Sequence, residues 1–245
     1  TSLDGLGAVA YTREDFVEAR RLFDAVLSIQ EKLAPGSTWC AVALHNSGAV
    51  EKAIGNYQVA QTRFEASLAI REKLVPGSLD VAQSLASLGE LALDRGDLVE
   101  AERRLEAALA IREKLVPGSL LVANSLNNLG RVLSLQEDVV RANRLLEDAL
   151  AICRKIAPGS SELAFSLRNL GRVARNRGQL DEARRLFEEA LAILKQPGSG
   201  AIDHAIALND LGVVASDQGF LQEAQSLHEA ALAKLLKVAP NSGWV

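Results

Sequence analysis

Apolar residues along the chain fall at spacings of three and four, pause, and resume, and the whole pattern then recurs. Within 80–120, Val81, Leu85, Leu88 and Ala92 form one stripe at the spacing of an α-helix. Gly96 breaks that stripe, and Leu98, Ala101, Leu105, Ala108, Leu109 and Ile111 mark a second amphipathic helix. Gly55, Gly178 and Gly219 hold the place of Gly96 in other copies, and glycine suits the left-handed residue that ends a helix. The second helix is predicted to stop before Val116-Pro117-Gly118, because proline disfavours helical backbone at the residue before it. Each unit therefore reads as a hairpin of two antiparallel helices.

The repeat length follows from residues that never vary. Gly7, Gly48, Gly89, Gly130, Gly171 and Gly212 are spaced by 41. The same step separates Leu3, Leu44, Leu85, Leu126, Leu167 and Leu208, and also the series that begin at Ala19 and Leu27. Pro35, Pro76, Pro117 and Pro158 each open a Pro-Gly-Ser at that step, and Leu68 to Leu79 recurs residue for residue as Leu109 to Leu120. A glycine inside a helix costs about 1 kcal/mol relative to alanine, so six of them imply helices that approach closely. A lone hairpin cannot cover its apolar face, and stacking is expected to bury it on both sides. The expectation is an all-α array of six helix-turn-helix hairpins, about twelve antiparallel helices, as one solenoid over 1–245. Its units are about 1–38, 39–79, 80–120, 121–161, 162–202 and 203–243, with 244–245 opening a further one.

Two places break the pattern. Pro197 comes two residues early and glycines follow at 198 and 200, so the second helix of the fifth unit should be shorter and its loop longer. Thr1 aligns with Gln83, inside a helix, and Trp244 and Val245 align with Trp39 and Cys40. The first helix thus reads as trimmed, and the array as either continuing or covering its apolar ends by self-association.

Composition narrows the function. Aromatic residues are only 4%, so the core must be built from Leu, Ala, Ile and Val. No apolar run approaches the roughly 20 residues of a membrane span, and no signal-peptide pattern opens the chain. The formal charge is −4 and the pI near 5.5, which argues against a general nucleic-acid binder. Cys40 and Cys153 match no metal spacing and read as buried thiols of a reducing compartment. With no Met anywhere, the chain reads as an excised piece of a longer protein.

The residues Leu85-x2-Leu88-Gly89 and Ala101-x3-Leu105, with Phe23, Phe64 and Phe187 at the place of Leu105, resemble the tetratricopeptide repeat. The period of 41 exceeds the usual 34, and the added residues lengthen the second helix and its loop by roughly 10 Å. Leu126-Asn-Asn-Leu-Gly130 and the Ala-Ile-Arg-Glu-Lys-Leu segments resemble the lengthened repeats of kinesin light chain and of bacterial multidomain regulators. The resemblance implies a right-handed superhelix whose first helices line a concave groove for a peptide. It also implies a non-catalytic, cytoplasmic interaction scaffold, bacterial in origin. Two alternatives are the regulatory arm of an enzyme lying outside this chain, a caspase-like protease or signalling ATPase, and a self-assembling structural solenoid.

Candidate chemistry is sparse. Gly5-x-Gly7-x-x-Ala10 fits a dinucleotide fingerprint, but follows no strand, and Gly7 belongs to the repeat series. No nucleotide loop, nucleophile elbow or zinc motif appears, no cofactor is expected, and His45, His204 and His228 occupy three different phases of the repeat. The inner face of the first helices is more informative because there the copies differ. Asn124, Asn127, Asn128 and Arg131 in the fourth copy, Arg168, Asn169, Arg172 and Arg175 in the fifth, and Asn209 in the sixth form the predicted binding set. Arg168, Arg172 and Arg175 make one column, arginine forks suit carboxylates, and an asparagine amide can both donate to and accept from a peptide backbone. The resemblance places asparagines such as Asn128 and Asn169 against a ligand main chain. The expected ligand is therefore a protein or peptide segment, acidic in character.

Overall fold

A computed structural model describes residues 2–195 and 200–238. Pro197, Gly198, Trp244 and Val245, on which several expectations above rest, lie outside those residues. Among the described residues there are twelve α-helices and no strand. They pair as α1 (Ser2–Thr12) with α2 (Phe16–Leu33), α3 (Thr38–Ala53) with α4 (Tyr57–Leu74), and α5 (Leu79–Asp94) with α6 (Leu98–Leu115). The next three pairs are α7 (Leu120–Leu135) with α8 (Val139–Ile156), α9 (Ser161–Asn176) with α10 (Leu180–Leu194), and α11 (Ala201–Asp217) with α12 (Leu221–Val238).

The chain divides into two compact units, Thr1–Pro117 and Gly118–Val245, and each holds three hairpins. In the first unit, α2 packs on α3 and α4 on α5, so the hairpins stack in sequence. In the second, α8 packs on α9 and α10 on α11, and the first helices α7, α9 and α11 touch side by side in that order. The helix α10 has 15 residues where the other second helices have 18, the shortening expected from the displaced proline.

Local chemistry sets most of the helix starts. The serine of each Pro-Gly-Ser caps the helix it precedes: Ser37, Ser78, Ser119 and Ser160 accept from the backbone N–H three residues on. Asp15, Asp97 and Asp138 do the same for α2, α6 and α8. Within the hairpin, Gly96 takes φ +78°, its N–H donates to Leu93 O, and the Asp97 N–H donates to Ala92 O. That is the Schellman closure, and it reverses the chain in three residues. Two hairpins make the same turn without glycine, placing Glu14 at φ 62° and Glu137 at φ 65°, where a side chain costs roughly 1–2 kcal/mol.

The mid-helix glycines mark where the two helices of a hairpin meet. A Cβ built on Gly130 would lie 2.7 Å from Leu146 Cγ; one on Gly89 would meet Leu105 Cγ at 2.7 Å, and one on Gly171 would meet Phe187 Cε1 at 2.7 Å. In all six hairpins the obstructing residue is sixteen positions on, in the second helix. The alanines of the Ala19 series are buried beside this crossing.

One buried charge departs from the apolar plan. Glu51, at the end of α3, has a fully buried side chain, in a position that is Ala92, Leu133, Ala174 or Ala215 in later hairpins. Its carboxylate takes Arg20 Nε at 2.9 Å from the preceding hairpin, Arg63 Nη1 at 3.3 Å from its own, and Asn56 Nδ2 at 2.7 Å.

Two substitutions test these constraints by urea denaturation. Gly130→Ala should destabilise by about 1–3 kcal/mol through overpacking against Leu146; an unchanged midpoint would contradict the close crossing. Glu137→Gly should stabilise by about 1 kcal/mol by relieving the left-handed backbone, and a lowered midpoint would refute that reading.

Candidate binding site on the first-helix face

Position along a first helix decides what a side chain can reach. In α5, Gln83, Ser87, Glu90 and Asp94 are the exposed or half-buried residues of one row, while Ala86 and Leu93, one place removed, are buried. Carried forward by the repeat, the open row is Asn124, Asn128, Arg131 and Leu135 in α7, and Phe165, Asn169, Arg172 and Asn176 in α9. The flank equivalent to Ala86 and Leu93 holds Asn127 in α7, Arg168 and Arg175 in α9, and Asn209 in α11.

The flank residues face neighbouring helices. Asn127 is buried and its Nδ2 donates to Ser166 Oγ of α9 at 2.8 Å. Arg168 is buried, and its Nε donates to Asp210 Oδ2 of α11 at 2.9 Å, with Asp203 at 3.9 Å from Nη1. Arg175 pairs with Asp217 of α11. Asn209 is exposed, its Oδ1 3.0 Å from Nδ1 of His228 on α12. Aspartates of the sixth hairpin thus answer the arginine column of the fifth. Sequence reasoning missed these pairings, although Asp203, Asp210 and Asp217 stand seven residues apart on one helix, a legible signal.

The open row builds two clefts in the second unit. The larger, about 300 Å3, is lined on α7 by Arg131, Ser134 and Leu135, on α9 by Asn169, Arg172, Arg175 and Asn176, and on α11 by Asp210 and Val213. Leu146 and Phe187, the residues that cross the hairpin glycines, contribute to it from the second helices. A smaller cleft of about 210 Å3 is lined by Asn124, Ser161, Glu162, Ala164, Phe165, Arg168, Leu194 and Asp203. Four of the predicted residues, Arg131, Asn169, Arg172 and Arg175, therefore share one cleft, and Asn124 and Arg168 share the other. Asn127 and Asn209 line neither, and Asn128 is buried.

Within the larger cleft the polar groups differ in how far they are satisfied. Arg172 donates to both oxygens of Asp210, at 3.0 and 3.3 Å from Nη2, yet leaves 43% of its side chain exposed. The guanidinium of Arg131 lies 5.9 Å from the centre of the Phe165 ring, within cation–π range. Asn169 is only 2% exposed, and neither its Oδ1 nor its Nδ2 has a hydrogen-bond partner in the protein. A buried amide left open on both atoms costs free energy.

The first unit is built differently on the same face. Lys52 on α3 pairs with Glu90 and Asp94 on α5, at 2.9 and 3.4 Å. Burial pulls this ammonium down, but the two carboxylates outweigh burial and hold its pKa above the ordinary lysine value. His45 is buried against Phe64, with Nδ1 unpartnered. Burial, aided by the nearby Arg71 cation, pushes its pKa down to about 4. His204 is lowered by burial and by Lys234 and Lys195, and His228 takes the place of the aromatic that packs on the hairpin glycine.

Comparison with known proteins bears on this architecture. The sequence matches the tetratricopeptide repeat over residues 1–73, 80–155 and 162–237. No curated protein matches it. Among solved structures, BtubC (BKLC) from P. vanneervenii aligns with a TM-score of 0.72 at 20% identity, covering 93% of this chain and 92% of that one. A Podosopora anserina protein assigned as a kinesin light chain, with nearly identical TPR-like repeats, aligns at 0.61 and 26% identity over 80% of this chain and 95% of that one. A chain of the APC/C hetero-tetramer Cut9-Hcn1 aligns at 0.69 and 19% identity, covering 98% of this chain and 40% of that one. No helix among the described residues is long and apolar enough to cross a membrane.

The depressed His45 gives a signed pH dependence. The unfolded chain takes up a proton near pH 6.5 that the folded chain refuses until about pH 4. Its contribution is therefore intact above pH 6.5, falls as pH drops, and levels off below 4, a loss of about 3 kcal/mol. His45→Asn, the residue of the fourth hairpin at this position, should flatten that part of a urea stability profile between pH 7 and 4. Parallel profiles for parent and variant would rule the effect out.

Proposed function

We propose that this chain, which belongs to the tetratricopeptide repeat family with repeats of the kinesin-light-chain type, is a protein-interaction scaffold that grips an extended partner segment in the larger cleft of its second unit. The carrying observation is Asn169, an almost completely buried amide with both polar atoms unpaired at the wall of a cleft. An amide can satisfy one N–H and one C=O of a peptide main chain without regard to its side chains. Arg172 and Arg175, each partly exposed beside it, supply the charge that a partner carboxylate would meet. The apolar side chains of Leu135 and Val213 add a dry surface. Structural likeness to a chain of a hetero-tetramer supports a partner that is itself a protein.

The sixth hairpin modifies the ligand expected from sequence. Three aspartates already face the arginines, so the cleft is not a strongly basic trough. It suits a segment with an isolated carboxylate and an accessible main chain better than a polyacidic tail.

Panning a phage-displayed library of random peptides against the protein tests this reading. Enriched peptides should carry an acidic residue, and Asn169→Ala or Arg172→Gln should each weaken them about tenfold, the loss of roughly one charge-assisted or main-chain contact. Arg103→Gln, on the exposed face of α6, should leave them unchanged. Peptides that bind parent and cleft variants alike would sink the proposal.

A further inference from the structure

The open row of α7, α9 and α11 carries one substitution that changes its chemistry. The place of Asn128 and Asn169 is taken in the sixth hairpin by Asp210. This aspartate is buried, and its two oxygens are shared between Arg168 Nε at 2.9 Å and the Nε and Nη2 of Arg172 at 3.2 and 3.0 Å. Arg168 is buried with it, whereas Arg172 reaches on into the cleft with nearly half of its side chain exposed. One carboxylate thus serves a structural arginine and a surface one together.

One repeat earlier the same two places are filled without charge. The positions of Arg168 and Asp210 correspond to Asn127 and Asn169. There Asn127 bonds Ser166, and the Asn169 amide stays open. At these two positions the seam between the fourth and fifth hairpins is therefore neutral and unsatisfied, its ion pair lying elsewhere, between Arg154 of α8 and Glu189 of α10, whereas the seam between the fifth and sixth is closed here by charge. An ion pair at these two positions is not needed to stack two hairpins.

We propose that Asp210 is a built-in counter-ligand: it occupies the arginines that a partner carboxylate would otherwise take, and so sets which acidic segments the cleft accepts. This rests on the reading of the cleft as a binding site. The physical basis is competition for a fixed number of donors. The guanidinium Nη2 of Arg172 already divides itself between both Asp210 oxygens, so an incoming carboxylate must share or displace that contact. It also enters against the charge of Asp210. A segment with a single well-placed carboxylate and good main-chain contacts tolerates this, and a run of acidic residues, bound mainly by charge, does not.

The test uses fluorescein-labelled hexaglutamate and fluorescence anisotropy at low salt. Asp210→Asn should tighten its binding at least tenfold over the parent and steepen the salt dependence. Because that variant leaves Arg168 buried beside a neutral amide, the decisive protein is the double variant Arg168→Asn/Asp210→Asn. It reproduces the Asn127 and Asn169 pair of the preceding seam and leaves the net charge of the chain unchanged. It should fold, as urea denaturation would verify, and should also bind at least tenfold tighter; binding no tighter than the parent overturns the counter-ligand. Adding Arg172→Gln and Arg175→Gln should abolish the gain. If the parent binds through Arg172 and the double variant gains nothing, only the role of Asp210 falls. If the gain survives loss of both arginines, or no protein in the set binds, the cleft reading falls with it.

Discussion

Everything in this chain depends on how closely two helices can cross inside one hairpin. At each crossing a glycine presents bare backbone to a bulky residue sixteen positions later, and a methyl group there would sit under 3 Å from that side chain. The intimacy fixes the register of the hairpin, since sliding either helix by one residue would drive a side chain into the other. It also fixes which faces remain for neighbours. With the inner face committed to its partner, each first helix has one flank for the next hairpin and one narrow row for solvent. The variable chemistry of the protein is confined to those two.

That geometry explains what could be read from the residues beforehand. The glycine, leucine and alanine series specified the period, the hairpin and the antiparallel pairing, because packing density tolerates no variation there. The arginine column was also legible, but its rotational phase was not. Residues 168, 172 and 175 are neighbours on one side of a helix, yet about 40–60° of rotation separates a cleft-facing Arg172 from the flank-facing Arg168 and Arg175. Periodicity fixes such angles only to within a residue. Nor does a single unit reveal who faces its flank. The partners of Arg168 and Arg175 lie about 42 residues on, in the next hairpin, and charge counting within one helix passes over them. Glu51 escaped for a related reason: a lone glutamate near a helix end reads as solvated until the arginines of two different hairpins are seen to converge on it.

The two units use the same framework for different electrostatics. Lys52 with Asp94 in the first unit and Arg175 with Asp217 in the second are the same pair of repeat positions, three hairpins apart. In the first unit the lysine is held between two carboxylates and the row around it is acidic or neutral. In the second, arginine rows and a buried aspartate coexist with an amide that has no partner. That open amide is the feature on which the proposed binding role of the second unit rests.

The buried Glu51 carries a further meaning, for the order of the hairpins. Six units with one internal design could in principle be shuffled, duplicated or deleted without loss. The second cannot be moved freely, because its carboxylate needs Arg20 from the unit before it, and the residue at the place of Arg20 is Gln61 one hairpin on. Set behind any hairpin lacking that arginine, it would keep only Arg63 and Asn56 against a buried charge. A single side chain thus acts as a positional key, limiting this cassette to places behind a hairpin that bears the arginine: the first, or the fifth, where Arg184 stands at the place of Arg20.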